Sequence, residues 1–348
     1  MFSKYLVLLT AMMVILAGCS ANTDDTATEQ NQTVTETTPE SSEEPAEPKE
    51  TEQQKEVYPL TGTRGETTLD RRPFAVIINN DIKARPQSGL HKADVVYEVL
   101  AEGDITRLVA IFQSEIPPDT IGPVRSARSY NVDLAKGFDP VFVFHGWSPG
   151  AKTKIEAGEI DGVNGLSYDG TLFKRASFRK APHNSYITHE NIIKGANQLN
   201  YEIEADIPPL TFKQEADSVE GEATEYVKLS YSSRIATQVE YKFDEANANY
   251  VRYSGQEKNI DLDSSEEIIA HNIFIVETSH RVVDDVGRRD IDLTSGGRGI
   301  LIREGVRQEV DWKEVDGRIL PFKNEQPVPF TPGKTWIQII PNLNIVSY

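Results

Sequence analysis

The apolar positions of this chain fall into three regimes. Tyr5 to Ala17 is an almost unbroken apolar run, Ser20 to Val57 has almost no large apolar residue, and from Tyr58 onward short apolar clusters alternate with turn residues. The third regime predicts a folded region large enough for one large or two ordinary domains. Within it, Phe74 to Asn79 reads as a buried strand. Asp94 to Leu100 and Ile105 to Phe112 are β-rich runs that the turn Ala101-Glu102-Gly103-Asp104 joins into a hairpin. Val124, Ala127, Tyr130 (or Val132) and Leu134 recur at helical spacing. They predict a helix from Val124 to Lys136, opened by Gly122-Pro123 and closed by Gly137 in a positive-φ conformation. Val141 to Phe144 is a short apolar strand, Ala151 to Ala157 a helix stopped by Gly158, and His189 to Leu199 a helix with Thr188 as its N-cap.

After a polar stretch between Asn200 and Ser218 the pattern turns to strands. Tyr226–Tyr231, Gln238–Phe243, Tyr250–Tyr253, Ile273–Val276 and Trp336–Ile340 are expected, and Gly299–Arg303 with Val306–Val310 should form a hairpin about Glu304-Gly305. The expected fold class is therefore α+β: an α+β domain over 58–205 and a mostly β domain over 206–348. The boundary has few linker features, which allows both halves to share one sheet system.

The first regime changes the picture of location. Lys4, an apolar run too short to span a bilayer, and Leu16-Ala17-Gly18-Cys19 make a lipoprotein-type signal over residues 1–19. Cys19 would take the lipid and anchor the chain on the outer face of the cytoplasmic membrane. It is the only cysteine, so the folded region has no internal disulfide and no cysteine-ligated metal. Residues 20–57 read as a disordered acidic tether, with eleven acids and two lysines between Ser20 and Glu56. Half of the formal charge of -18 is therefore tether, which argues for solvation rather than cation binding.

Against that acidity, Ile121 to Lys180 holds nine Lys or Arg and six Asp or Glu. On the expected helix, Arg125 and Arg128 would share a face with Ser129 and Asp133 at the positive end of the dipole, an arrangement that suits an anionic ligand. The opposing reading pairs them with Glu98, Glu102 or Asp133. Arg175, Arg179, His183 and Asn184 cluster before the 189–199 helix. His145 and Trp147 follow the 141–144 strand, where Trp147 offers a platform for a sugar ring. Together these residues suggest an anion-binding pocket, with no cofactor and no metal. Peptidoglycan carboxylates, teichoic-acid phosphates or a phosphorylated headgroup are the expected ligands. A wall-modifying hydrolase or transferase using His145, Asp133 and His183 is the alternative, and a scaffold for wall-synthesis proteins is a third. Glu98 and Glu102 are candidates for a glycosidase pair that nothing singles out. Asp161-Gly-Val-Asn-Gly165 reads as a turn rather than a calcium loop. Nucleic acid is excluded by the acidic charge and the lack of a basic stripe.

Several long motifs are familiar. Ala84-Arg-Pro-Gln-Ser-Gly-Leu90, Ala93-Asp-Val-Val-Tyr-Glu-Val-Leu-Ala-Glu-Gly103, Ile121-Gly-Pro-Val-Arg-Ser-Ala-Arg128, Pro182-His-Asn-Ser-Tyr186 and Pro332-Gly-Lys-Thr-Trp336 resemble the YerB-like lipoproteins of Gram-positive bacteria. The resemblance covers roughly Thr61 to Tyr348. It implies a layered β-β-α type sandwich in the first domain and membrane attachment, and it carries over no catalytic residue.

Overall fold

A computed structural model describes residues 56–65, 69–116 and 120–348. The expected signal, Cys19 and all but the end of the expected tether lie outside these residues. The strands of three or more residues are β1 Phe74–Asn79, β2 Val95–Leu100, β3 Thr106–Phe112, β4 Val141–Phe144, β5 Gly162–Asn164, β6 Phe173–Arg175, β7 Ser185–Ile187, β8 Tyr226–Ser230, β9 Gln238–Asp244 and β10 Asn249–Ser254. They continue with β11 Asn272–Glu277, β12 His280–Val282, β13 Arg289–Ile291, β14 Gly297–Arg303, β15 Val306–Val315, β16 Arg318–Lys323 and β17 Thr335–Ile340. The α-helices are α1 Ser129–Lys136, α2 Pro149–Glu156 and α3 His189–Gln198.

One twisted sheet of twelve strands organises the molecule. Its longer strands run in the order β16-β15-β14-β11-β17-β2-β3-β1-β4-β5. Strand β17, near the C-terminus, lies between β11 and β2 and is parallel to both. The sheet therefore runs without a break across the boundary expected near residue 205. Strands β1, β4 and β5 are also mutually parallel, with β3 antiparallel between β1 and β2.

Every residue of β1, β2 and β3 is buried because both faces of the sheet are covered. Ala75 and Ile77 point into one core with Tyr130, Leu134 and Ala151 from α1 and α2. Phe74, Val76 and Ile78 point into the other, with Ile192 and Ala196 from α3 and with Leu229, Val239 and Tyr241 of a second, six-stranded sheet. The fold is a layered α+β sandwich whose second half is almost wholly β.

The two sheets are tied by charge as well as by apolar area. Glu98 of β2 (0% exposed) and Arg252 of β10 (1% exposed) form an ion pair at 2.7 Å. The Glu98 carboxylate also accepts from Asn80, Thr106 and Gln338.

Three local expectations fail. The segment from Val124 to Arg128 is extended, and α1 begins only at Ser129. Its backbone groups are claimed by neighbours on both sides: Val124 N–H donates to Ser185 O, Arg125 N–H to Ile77 O and Ala127 N–H to Gly146 O, while Arg125 O accepts from His145 N. Tertiary pairing thus overrides the helical spacing. Gly137 is not in a positive-φ conformation (φ −66°). Its need is closeness, since a Cβ there would lie 2.5 Å from the Gly317 carbonyl carbon. Asp161 to Gly165 is not a turn, because Gly162–Asn164 forms the edge strand β5 beside β4.

The chain enters the sandwich at the amino ends of the parallel strands. Thr61 O accepts from Gly333 N just before β17, and Asp94 O, just before β2, accepts from Thr335 N.

Candidate functional site

The predicted residues gather at the opposite end of the sheet. Asn79 ends β1 and Asp81 follows it, Glu102 follows β2, His145 follows β4 and Gly165 follows β5. The segment Ile121–Arg128 crosses over these strand ends, and the β6–β7 hairpin with its tip around His183 flanks them. The carboxyl ends of parallel strands are where open sheets place ligands.

The arginines divide sharply. Arg128 is the N-cap residue of α1, in extended conformation, rather than a residue of its first turn. Its Nε donates to Glu102 Oε1 at 2.6 Å. The other Glu102 oxygen accepts from Arg107 at 2.8 Å, and Arg107 also donates to Ser126 O. Burial opposes ionisation of Glu102, yet the charges of Arg107 and Arg128 hold its carboxyl below the usual range. Burial pushes Arg107 down to about 9. Arg128 is thus paired with one of the carboxylates considered for it.

Arg125 is different. Among the described residues its guanidinium makes no hydrogen bond or ion pair, although burial and the neighbouring Arg128 push its pKa below the ordinary value. It lies within electrostatic reach of Asp81, His145 and His183.

The two histidines are fixed by their partners. Arg175 donates to His145 Nε2 at 2.9 Å, and arginine can only donate. His145 Nδ1 therefore carries the proton and donates to Ser185 Oγ at 2.8 Å. Burial, then the Arg175 charge, lowers the pKa of His145 and keeps the ring neutral. In this tautomer His145 cannot take a proton from Ser185. His183 Nδ1 accepts from the Asn79 amide at 2.9 Å, which leaves Nε2–H as a donor. Burial lowers its pKa as well.

The remaining candidates are spent elsewhere. Arg175 is paired with Asp169 and donates to Asn184 Oδ1. Arg179 donates to the carbonyls of Ala84 and Pro86 and to the Tyr186 hydroxyl, so it braces the 84–86 loop. Trp147 packs on Phe144 and is half-buried against the core, with Lys152 over its ring. It is no open sugar platform. Asp133 is held by Lys136 and Lys154, so the expected His183–Asp133 acid–base pair does not form. Glu98 is sealed in the ion pair with Arg252 and does not face Glu102 across a cleft.

Sequence reasoning missed Arg107 and Asn79. Arg107 was legible as the single charge in the run Ile105–Phe112, whereas nothing distinguished Asn79 from an ordinary strand-ending asparagine. A cleft of about 420 Å³ lies between Ile82–Pro86 and the Ile235–Ala236 and Ser254–Ile260 segments, and none of the expected site residues lines it.

Comparison with known proteins covers both halves of the chain. Residues 60–202 match the N-terminal domain of the proteins of unknown function DUF3048, and residues 227–337 match the DUF3048 C-terminal domain. The protein named "Putative lipoprotein YerB" of Bacillus subtilis (strain 168) is 50% identical over 291 residues, 83% of this chain and 87% of that protein. The crystal structure of Bacillus subtilis YerB superposes with a TM-score of 0.80 at 49% identity, covering 84% of this chain and 99% of the other.

Proposed function

This chain belongs to the DUF3048 family, and from that premise we propose that it is a lipoprotein that binds an anionic component of the cell envelope. Its anchor is Cys19, lipidated on the outer face of the cytoplasmic membrane, as the lipobox and the name of its relative suggest. Among the described residues no helix is long and apolar enough to cross a membrane, in keeping with attachment through lipid.

One observation carries the binding reading. In a cluster where Arg107, Arg128, Arg175 and Arg179 all have partners, the Arg125 guanidinium has none among the described residues. An arginine held half-buried with no carboxylate partner pays part of its desolvation without compensation, which a bound carboxylate or phosphate would supply. His183 Nε2–H is a second donor beside it. Peptidoglycan stem carboxylates and teichoic-acid phosphates are the envelope polymers with this chemistry. The hydrolase or transferase reading loses support from the His145 tautomer and from the lysine-bound Asp133. The scaffold reading rests on exposed Val282, Val283 and Val286 near the tip of the β12–β13 hairpin.

The test is co-sedimentation of the detergent-solubilised full chain with wall sacculi, with and without teichoic acid. The wild type should pellet in a salt-sensitive way. Arg125→Ala should stay in the supernatant while remaining as stable as the wild type. Equal pelleting of that variant would end the proposal.

A further inference from the structure

Arg125 does not stand alone at the mouth of the site. Across from it lies Asp81, two residues beyond the end of β1. The backbone places them: Asn79 N–H donates to Pro123 O, Arg125 N–H donates to Ile77 O, and Asp81 N–H is held by the Asn79 side chain at 3.0 Å. Asp81 Oδ1 caps the short 3-10 turn Ile82–Ala84 by accepting from Lys83 N at 2.9 Å. Its other oxygen has no hydrogen bond, and no ion pair to Asp81 forms among the described residues.

The two groups are near enough to feel each other's charge, yet they are not in contact. Opposite charges so placed in a protein surface ordinarily close into an ion pair. Here the backbone holds them apart: Arg125 is pinned in the crossing segment, and Asp81 is pinned by the Asn79 amide and its capping bond. Asn79 also holds His183, so His183 and Asp81 rest on one asparagine. The local charge count supports a mixed ligand. Glu102 is consumed by Arg107 and Arg128, and Asp169 by Arg175. Arg179 is spent on the Ala84 and Pro86 carbonyls. Of the charged groups that act on Arg125 and His183, that leaves Arg125 itself, Asp81 and Lys83 without an ion pair among the described residues. A bare anion would satisfy Arg125 and be repelled by Asp81.

We infer that the ligand is a zwitterion, a free α-amino-acid group whose carboxylate is taken by Arg125 and His183 and whose ammonium is taken by Asp81. The inference rests on the anion site proposed above and narrows it. A peptide or wall stem that ends in, or branches to, an unblocked amino acid carries this group. A simple sugar acid or a phosphodiester polymer does not.

The experiment is titration calorimetry on the detergent-solubilised full chain with four probes: racemic alanine, N-acetylalanine without the cation, alanine amide without the anion, and aminoethyl phosphate. Alanine should bind at least tenfold tighter than N-acetylalanine or alanine amide. Asp81→Asn keeps a side-chain acceptor for Lys83 N, since asparagine caps as well as aspartate. That variant should lose the preference for alanine over N-acetylalanine while its melting temperature stays put. Arg125→Ala should lose both acids. Equal binding of alanine and N-acetylalanine by the wild type, or an unaltered preference in Asp81→Asn, would overturn the zwitterion and leave a plain anion site. Tighter binding of aminoethyl phosphate than of alanine would overturn the amino-acid class. If sacculi pellet but no probe binds, the zwitterion falls and the anion proposal stands. If neither sacculi nor probes bind, both fall.

Discussion

Replacing Arg252 by methionine tests what joins the two sheets. Arg252 lies on β10 of the six-stranded sheet, and Glu98 on β2 of the large one. The pair is 154 residues apart in sequence and 2.7 Å apart in space. At an effective dielectric near 20, opposite charges about 4 Å apart attract by about 4 kcal/mol. Desolvating each ion costs several kcal/mol, so the intact pair contributes little net stability. Removing only the cation is another matter. Glu98 would keep Asn80, Thr106 and Gln338 but remain a buried carboxylate without a counter-charge. The expected loss is about 3–5 kcal/mol. Methionine roughly fills the volume of the arginine stem over Trp336, whose ring lies 4.6 Å from the guanidinium carbon. The loss should therefore come from charge rather than from a cavity. Urea unfolding followed by tryptophan fluorescence measures it. The double variant Glu98→Gln/Arg252→Met should recover most of the loss, with a coupling of at least about 2 kcal/mol in the cycle. A loss below about 1 kcal/mol for Arg252→Met, or additive single effects, would refute the claim that this pair locks the sheets together.

Three further outcomes are expected. Arg125→Ala should change stability by less than about 0.5 kcal/mol, because it breaks no bond, whereas Arg128→Ala should cost about 1–2 kcal/mol through Glu102; chemical unfolding separates them. His280 has both ring nitrogens buried without a partner among the described residues, and burial lowers its pKa to about 4. The unfolded chain then binds more protons between about pH 6.5 and 4, so stability drops as the pH is lowered through that window, by up to about 3 kcal/mol. His280→Leu should flatten that slope in thermal melts from pH 7 to 4. Gly137→Ala, which drives a Cβ against the Gly317 backbone, should cost about 1–3 kcal/mol and show as a lower melting temperature.

The strands were legible wherever burial on both faces left an uninterrupted apolar run, as in Phe74–Ile78 and Val141–Phe144. The β2–β3 hairpin and the Thr188 cap were legible from turn and cap chemistry, which is local. What could not be read was long-range pairing. Val124 to Arg128 has a helical spacing of apolar residues, but its N–H groups are taken by Ile77, Gly146 and Ser185, all distant in sequence. Nor could the insertion of the last long strand between β11 and β2 be seen. The same limit governs the site. The sequence placed cations and histidines in one stretch, yet which of them were already paired depended on Glu102, Asp169 and the 84–86 carbonyls. Six of the eight expected ligand groups, Arg128, His145, Trp147, Arg175, Arg179 and Asn184, have partners within the fold. Asp81 and Asn79, which give Arg125 its setting, carried no signal that singled them out.

The direction of the parallel strands has a mechanical consequence. The chain enters beside Gly333 and Asp94, and the candidate site lies at the far ends of β1, β2 and β4. A pull exerted between a membrane anchor ahead of residue 56 and a ligand at Arg125 would run along the strands. The β1–β3 ladder, with register pairs from Phe74↔Phe112 to Asn79↔Arg107, would then be loaded in shear, all its hydrogen bonds sharing the force at once. A sheet pulled across its strands would instead unzip one bond at a time. A protein tied to a membrane at one end and to a wall under turgor at the other would have its strongest axis along the line of tension.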